Sequence, residues 1–214
     1  MKKKLIIFDL DGTLIDTLRD IEHIFNYVLI KNGFDKKSEN FYKKNIGNGL
    51  DNLLRKCLPD TFIGDFNLLS NSVRDRYKHK LNTKTKIYDG IIPVLEHLKK
   101  NKVNMAVISN KLHSLAVKSV ETYFNSYEMK VIGAEGNFSR KPSPDSTFHM
   151  LQHFNCYASD ALFIGDSIVD IKTAQSANVS SVGVLWGNGT KEDFKKQKSD
   201  FILDSPKDIL DILD

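Results

Sequence analysis

Short runs of consecutive apolar residues punctuate this chain: KLIIF at 4–8, VNMAVIS at 103–109, MKVIGA at 129–134, ALFIG at 161–165, SSVGVLW at 180–186 and DFILD at 200–204. Apolarity that continues over several residues without alternating marks strands covered on both faces, as a parallel sheet between helical layers requires. The stretches between the later runs are long enough for one crossover helix each, so this part of the chain reads as successive βα units.

Roughly ninety residues separate the first run from the second, where a parallel crossover needs only about a dozen. Most of that stretch carries helical periodicity. Leu18, Ile21, Phe25, Val28 and Leu29 fall on one helical face, and Phe62, Phe66, Leu69, Val73, Tyr77 and Leu81 on another. The fold class is therefore α/β, with a parallel-sheet core from residues 1–16 and 84–214 and an all-helical insert at 17–83. DGTLIDT opens the insert and LNTKTK at 81–86 closes it, two short connections able to serve as hinges. From YDGIIPVLEHLKK onward the α/β pattern resumes, with Ile92, Leu95 and Leu98 expected to face the sheet.

Composition narrows the function classes. No window approaches the run of about 18 uncharged apolar residues that a spanning helix needs. The basic start MKKK is followed by only four apolar residues before Asp9, too few for a secretion signal, so a cytoplasmic protein is expected. Cys57 and Cys156 stand far apart with no metal-ligand spacing, which argues against a disulfide framework or structural zinc. The net charge of +4 is spread among acidic residues rather than gathered in a block. That distribution disfavours nucleic acid and membrane partners and leaves small phosphorylated metabolites open.

The chemistry concentrates where apolar runs end. In LIIFDLDGTLIDT, Asp9 and Asp11 project to one side of the strand end and Leu10 to the other. Two carboxylates so close repel, so a cation or a shared proton is expected, unless both merely cap the following turn. FIGDSIVD places Asp166 and Asp170 four residues apart after another strand. If Ser167 opens a helix, Asp166 can cap it, with Asp170 one turn on. A magnesium site shared with Asp9 and Asp11 would account for all four aspartates, since this ion takes hard oxygen ligands.

The strand MAVIS delivers Ser109 and Asn110 to the same rim, ahead of a helix expected to begin near Lys111. They are either ordinary helix-start residues or an anion site at a helix N-terminus. Lys141 precedes a helix start signalled by Ser143 as N-cap and Pro144 at the first helical position. It is either a solvated loop lysine or the neutraliser of the acidic cluster. His149 and His153 resemble half a zinc site but have no third ligand nearby, and Trp186 is expected to pack at a strand end or touch substrate.

Together, DLDGT at 9–13, ISN at 108–110, Lys141 in RKPSPD and GDSIVD at 165–170 resemble a haloacid dehalogenase superfamily phosphohydrolase. The resemblance spans nearly the whole chain and implies a three-layer Rossmann-like core carrying a helical cap. It implies that Asp9 attacks phosphorus and Asp11 serves as acid and base. Mg2+ would be held by Asp9, the Asp11 main-chain carbonyl and Asp166, with Asp170 mainly behind them. Thr13, Ser109, Asn110 and Lys141 would bind the phosphoryl group. An aspartate at position 11 favours phosphoryl transfer over carbon–halogen cleavage.

KKNIGNGLDNLL resembles the cap loop of phosphoglycolate phosphatase-like proteins, implying substrate contacts from Gly47, Asn48 and Gly49, although a plain interhelical turn would also use these residues. VLWGNGT is similar to a late motif of the same group, while KPSPD departs from its usual pattern at Asp145 without touching the lysine. The implied activity is hydrolysis of small phosphate monoesters, foremost 2-phosphoglycolate, by a monomer or homodimer. Alternatives are a β-phosphoglucomutase-like phosphomutase, an inorganic pyrophosphatase or nucleotidase, and a non-catalytic phosphate-ester-binding protein.

Overall fold

The structure is a computed structural model and describes residues 3–80 and 82–213. Leu81, expected to end a helical face, lies outside the described residues, as do Met1, Lys2 and Asp214. The chain runs β1 (Leu5–Phe8), β2 (Ile15–Asp16), α1 (Leu18–Lys31), α2 (Glu39–Asn45), α3 (Leu50–Cys57), α4 (Phe66–Lys80) and β3 (Lys86–Ile87). It continues α5 (Ile91–Lys100), β4 (Asn104–Leu112), α6 (His113–Phe124), β5 (Lys130–Ala134), α7 (Asp145–His153), β6 (Ala161–Gly165), α8 (Ile168–Ser176), β7 (Ser180–Val184), α9 (Lys191–Lys196) and β8 (Phe201–Leu203).

Six of these strands form one parallel sheet in the order β5-β4-β1-β6-β7-β8. All six apolar runs supply one strand each, and ALFIG is β6 residue for residue. Side-chain alternation along β1 divides two cores. Ile6, Phe8 and Leu10 pack with Leu95 and Leu98 of α5 and with Ala116 and Val120 of α6. Leu5 and Ile7 pack with Met150 of α7 and Ala174 of α8. Each face of the sheet thus has its own helical layer, which is why its strands carry no polar side.

The α/β unit comprises residues 1–16 and 87–214, and a helical unit comprises Thr17–Lys86. In α5 the buried stripe is Ile91, Val94, Leu95 and Leu98, while Ile92, expected on the sheet, is 36% exposed. The i, i+3, i+4, i+7 pattern that starts from Ile91 fits the sheet face better.

In the helical unit α1 buries Ile21, Ile24, Phe25, Val28 and Leu29. Phe25 meets the fully buried Tyr42 of α2 at 6.0 Å between rings, and the Tyr42 hydroxyl donates to Asn26 Oδ1 at 2.8 Å. Phe62, expected within the α4 stripe, instead precedes that helix and packs edge-on against Phe34, with ring centroids 5.8 Å apart.

The unit is closed by a buried carboxylate that sequence periodicity hid. Asp20, on the inner face of α1, accepts hydrogen bonds from Thr83 Oγ1 (2.8 Å), Lys84 N (2.9 Å), Thr85 N (3.0 Å) and Thr85 Oγ1 (2.6 Å). These bonds keep residues 83–85 with the helices, so the return to the α/β unit comes at Ile87 rather than at 84. Removing a buried acceptor strands its donors. Asp20→Ala is expected to destabilise the protein by about 3 kcal/mol in urea unfolding, whereas an exposed control such as Lys36→Ala stays within about 0.5 kcal/mol.

Candidate active site

The chain leaves β1 for β4 on one side, while β6 pairs on the other, so the carboxyl end of β1 is a switch point of the sheet, where open α/β folds bind ligands. Three adjacent strand ends deliver the polar residues. Asp9 and Asp11 follow β1, Ser109, Asn110 and Lys111 lie late in β4, and Asp166 follows β6, with Asp170 in the first turn of α8. Lys141 comes from the loop between β5 and α7.

Lys141 is the hub of this cluster. Its Nζ lies 2.6 Å from Asp170 Oδ1 and 2.9 Å from Asp9 Oδ1, with its side chain 2% exposed. Asn110 holds the lysine's backbone at both ends, accepting from Lys141 N at 2.9 Å and donating to Lys141 O at 3.1 Å. Asp170 divides its oxygens: Oδ1 receives Lys141, and Oδ2 receives Ser167 N (3.0 Å) and Ser167 Oγ (2.6 Å) in a capping box. Ser167, not Asp166, therefore caps α8, because the Asp166 carboxylate is committed elsewhere.

That commitment is to two loops. Asp166 Oδ2 accepts from Asn188 N (2.9 Å) and Asn188 Nδ2 (2.7 Å), and Oδ1 accepts from Thr13 Oγ1 at 3.3 Å. Trp186 Nε1 donates to Thr13 O at 2.9 Å, tying the WGNG loop to the DLDGT turn. Gly12 sits in the middle at φ 91°, where a Cβ would run into the Asp166 carboxylate and Asn188. Sequence spacing could not disclose Asn188 as a partner. A polar residue between two glycines, just past a strand end, was the available signal.

Burial pushes the Asp9 carboxyl up to about 8; Lys141 opposes the shift, and Asp170 and Asp166 add to it. Burial, then Asp170, also raises Asp166 to about 6, against the hydrogen bonds from Asn188. Burial by itself would lower the Lys141 ammonium, but Asp170 and Asp9 outweigh it and the net shift is upward. The site has more buried negative charge than Lys141 alone offsets.

A divalent cation fits this excess. Oxygens of Asp9, Asp166 and Asp170 lie within 4.8 Å of one another, all three residues buried. Asp9 Oδ1 is used by Leu10 N (2.7 Å) and Lys141, and Asp166 Oδ2 by Asn188, whereas Asp166 Oδ1 has only the long 3.3 Å bond from Thr13, so Asp9 Oδ2 and Asp166 Oδ1 would be the better-disposed ligands. Both Asp170 oxygens have protein donors, as suits a residue that orients the cluster rather than ligates directly.

Two expectations need correction here. β4 does not stop before Lys111 but continues to Leu112 through a register shift after Ile108, and α6 begins at His113. Ser109 and Asn110 are thus strand residues, not the opening of a helix, and Ser109 Oγ accepts from Lys111 N at 3.3 Å. The helix after Lys141 begins at Asp145, one residue later than expected, with Pro144 preceding it and Ser143 Oγ accepting from Asp145 N at 3.4 Å. The Asp11 carboxylate is paired with Lys111 Nζ at 2.8 and 3.0 Å, a partner absent from the sequence-based site. A lysine at the end of an otherwise buried strand run was the clue to it. Gly47, Asn48 and Gly49 belong to the helical unit, in the turn between α2 and α3, where both glycines take positive φ. His149 packs against Phe138, with ring centroids 4.8 Å apart.

The chain belongs to the haloacid dehalogenase-like hydrolases, whose family model matches residues 6–184. Within that family it is phosphoglycolate phosphatase-like, and it is a phosphatase. It is 31% identical over 212 residues to the phosphoglycolate phosphatase of Aquifex aeolicus, covering 99% of this chain and 97% of that protein. It is also 31% identical over 216 residues to "Putative pyrophosphatase PpaX" of Caldanaerobacter subterraneus subsp. tengcongensis, covering 100% and 96%. A crystal structure of a predicted phosphoglycolate phosphatase from Haemophilus somnus 129PT superposes with a TM-score of 0.91 at 28% identity, covering 100% and 99% of the two chains. Among the described residues no helix is long and apolar enough to cross a membrane.

Two outcomes follow from this geometry. Asn188→Ala frees Asp166 to rotate, so divalent-cation affinity, read from Mn2+ titration by electron paramagnetic resonance, should fall about tenfold or more. In metal-free protein, Asp9 and Asp166 keep protons that the unfolded chain has released above about pH 4. Folding then takes up protons, so stability should fall as pH rises from 5 towards 8, the range set by the shifts to about 8 and about 6. The raised Lys141 acts only above its unfolded value of 10.5 and adds no slope in this window. Thermal melts in chelator should show the decline, and Asp9→Asn should flatten it.

Proposed function

We propose that the protein is a Mg2+-dependent phosphatase of small phosphate monoesters that works through an aspartyl-phosphate on Asp9. The observation that carries this reading is the buried Asp9 carboxylate, fixed at the strand end by Leu10 N and Lys141 beside Asp166 and Asp170. In the first step an Asp9 oxygen bonds to phosphorus and the bond from phosphorus to the ester oxygen breaks, with Asp11 giving that oxygen a proton. In the second, Asp11 takes a proton from water, the water oxygen bonds to phosphorus, and Asp9 is released. Lys141 offsets charge on the transferring group, and Ser109, Asn110 and Thr13 complete its surroundings, Asn110 by holding Lys141 in place. Asp9, Asp166 and the Asp11 carbonyl would hold Mg2+, which would supply further charge neutralisation for the phosphoryl group.

Likeness to phosphoglycolate phosphatases supports 2-phosphoglycolate as the substrate, with substrate choice assigned by family resemblance to Gly47, Asn48 and Gly49. The equal identity to a protein named for pyrophosphate supports inorganic pyrophosphate as the second reading. Both candidates carry an anionic group beyond the transferred phosphoryl. The free thiols of Cys57 and Cys156 fit a reducing, cytoplasmic setting.

Phosphate release measured across a metabolite panel should be highest for 2-phosphoglycolate, should stop with chelator and return with Mg2+. Asp9→Asn should lower it by on the order of 10³-fold or more, as removal of a nucleophile does. Faster release from pyrophosphate would transfer the assignment to the second reading, and inactivity on the whole panel would refute both.

A further inference from the structure

Lys111 has no role in the scheme above, yet it is one of the most constrained side chains in the α/β unit. Its side chain is 4% exposed at the end of a buried strand, and its ammonium lies 2.8 Å from Asp11 Oδ1 and 3.0 Å from Asp11 Oδ2. Lysine's flexible stem loses much side-chain entropy when ordered, and burying its charge is costly without a partner, so such placement implies a specific contact. The backbone around it is arranged to make that contact. β4 shifts register between Ile108 and Leu112, and Ser109 Oγ accepts from the Lys111 amide, holding the residue as strand rather than helix.

The two lysines of the site divide its carboxylates between them. Lys141 serves Asp9 and Asp170, while Lys111 serves Asp11, whose side chain is 14% exposed and so retains an opening on the solvent side. The turn that carries Asp11 is held by its backbone, with Asp11 bridged to Ile15 and Gly12 N donating to Ile15 O at 2.8 Å, but the side-chain partner of the Asp11 carboxylate is Lys111. An ammonium has three donors in a compact head, so it can hold one carboxylate oxygen while the other moves to the ester oxygen or water.

We propose that Lys111 is a positioning residue that holds the Asp11 carboxylate in the orientation needed for proton transfer to the leaving oxygen. This inference rests on the phosphatase reading of Asp11. Lys111 touches no reacting atom in this assignment; it acts through Asp11, and its loss should matter in proportion to how much the leaving group needs a proton.

The test compares two monoesters in full-length enzyme with Mg2+: an alkyl ester such as 2-phosphoglycolate, whose alkoxide leaves poorly, and nitrophenyl phosphate, whose phenolate leaves without protonation. For the aryl ester the pre-steady-state burst is read, since it reports the first step alone and shows that the variant is folded. In Lys111→Met the loss of kcat on the alkyl ester should exceed the loss on the aryl burst by about tenfold or more, within the usual span of acid–base contributions. Asp11→Asn should show the same inequality more strongly, and Lys111→Arg should recover most of the alkyl-ester rate. Equal losses of Lys111→Met on both esters, or a rise in KM for 2-phosphoglycolate with kcat kept, would overturn the inference. In the second case Lys111 would be binding the substrate's own anion. If wild type hydrolyses neither ester, or if Asp11→Asn shows no leaving-group dependence, the reading of Asp11 fails instead.

Discussion

The structure depends on keeping three carboxylates, Asp9, Asp166 and Asp170, out of water around a single ammonium. Isolated buried charges cost far more than a domain's net stability, so each oxygen must find a donor and each donor must be held still. This requirement reaches well beyond the cluster. Asn110 exists in its conformation to hold the Lys141 backbone, Ser167 to hold Asp170, and Asn188 to hold Asp166. The apolar strands then have a second job besides filling the core, since their parallel alignment brings these donors and acceptors to one rim.

Buried networks of this kind are stable only when complete, and here the missing component is positive charge. The upward shifts at Asp9 and Asp166 come first from burial and then from the neighbouring carboxylates, and a bound cation would oppose both. A carboxyl that holds its proton is a poor nucleophile. The arrangement that makes the bare site electrostatically uncomfortable is therefore also what would couple the reactivity of Asp9 to binding of a cation, without a moving part.

Much of the fold was legible because it is written in local pattern. Six apolar runs became six strands, and the helical faces of α1 and α4 survived with small changes. What escaped was whatever depended on partners distant in sequence. Lys111 and Asp11 are 100 positions apart, and Trp186 and Thr13 are 173 apart. Periodicity marked the apolar neighbours of Asp20 but could not show that its carboxylate turns inward, because its donors lie 63 to 65 residues on. Asp166 and Ser167 show the same limit in another form: both are competent caps by type, and only the competing claim of Asn188 decides between them. The candidate residues Asp9, Asp166, Asp170 and Lys141 were nameable in advance because motif spacing carries them, and so were Asn110 and Ser167, although not what they hold, whereas Asn188 and Lys111 were not read as partners.

The Asp20 clasp has an implication for how such a chain can change over time. By joining α1 to residues 83–85, it makes the helical insert a loop whose two ends are fastened within the insert itself. The entropy of closing a loop grows only slowly with its length, so residues could be gained or lost between α1 and α4 at little thermodynamic cost to the sheet. The clasp thereby confines a change of length to the insert and leaves the strand ends where they are. The helices can be rewritten for a new ligand while the strand ends, with their balanced charges, are left as they are.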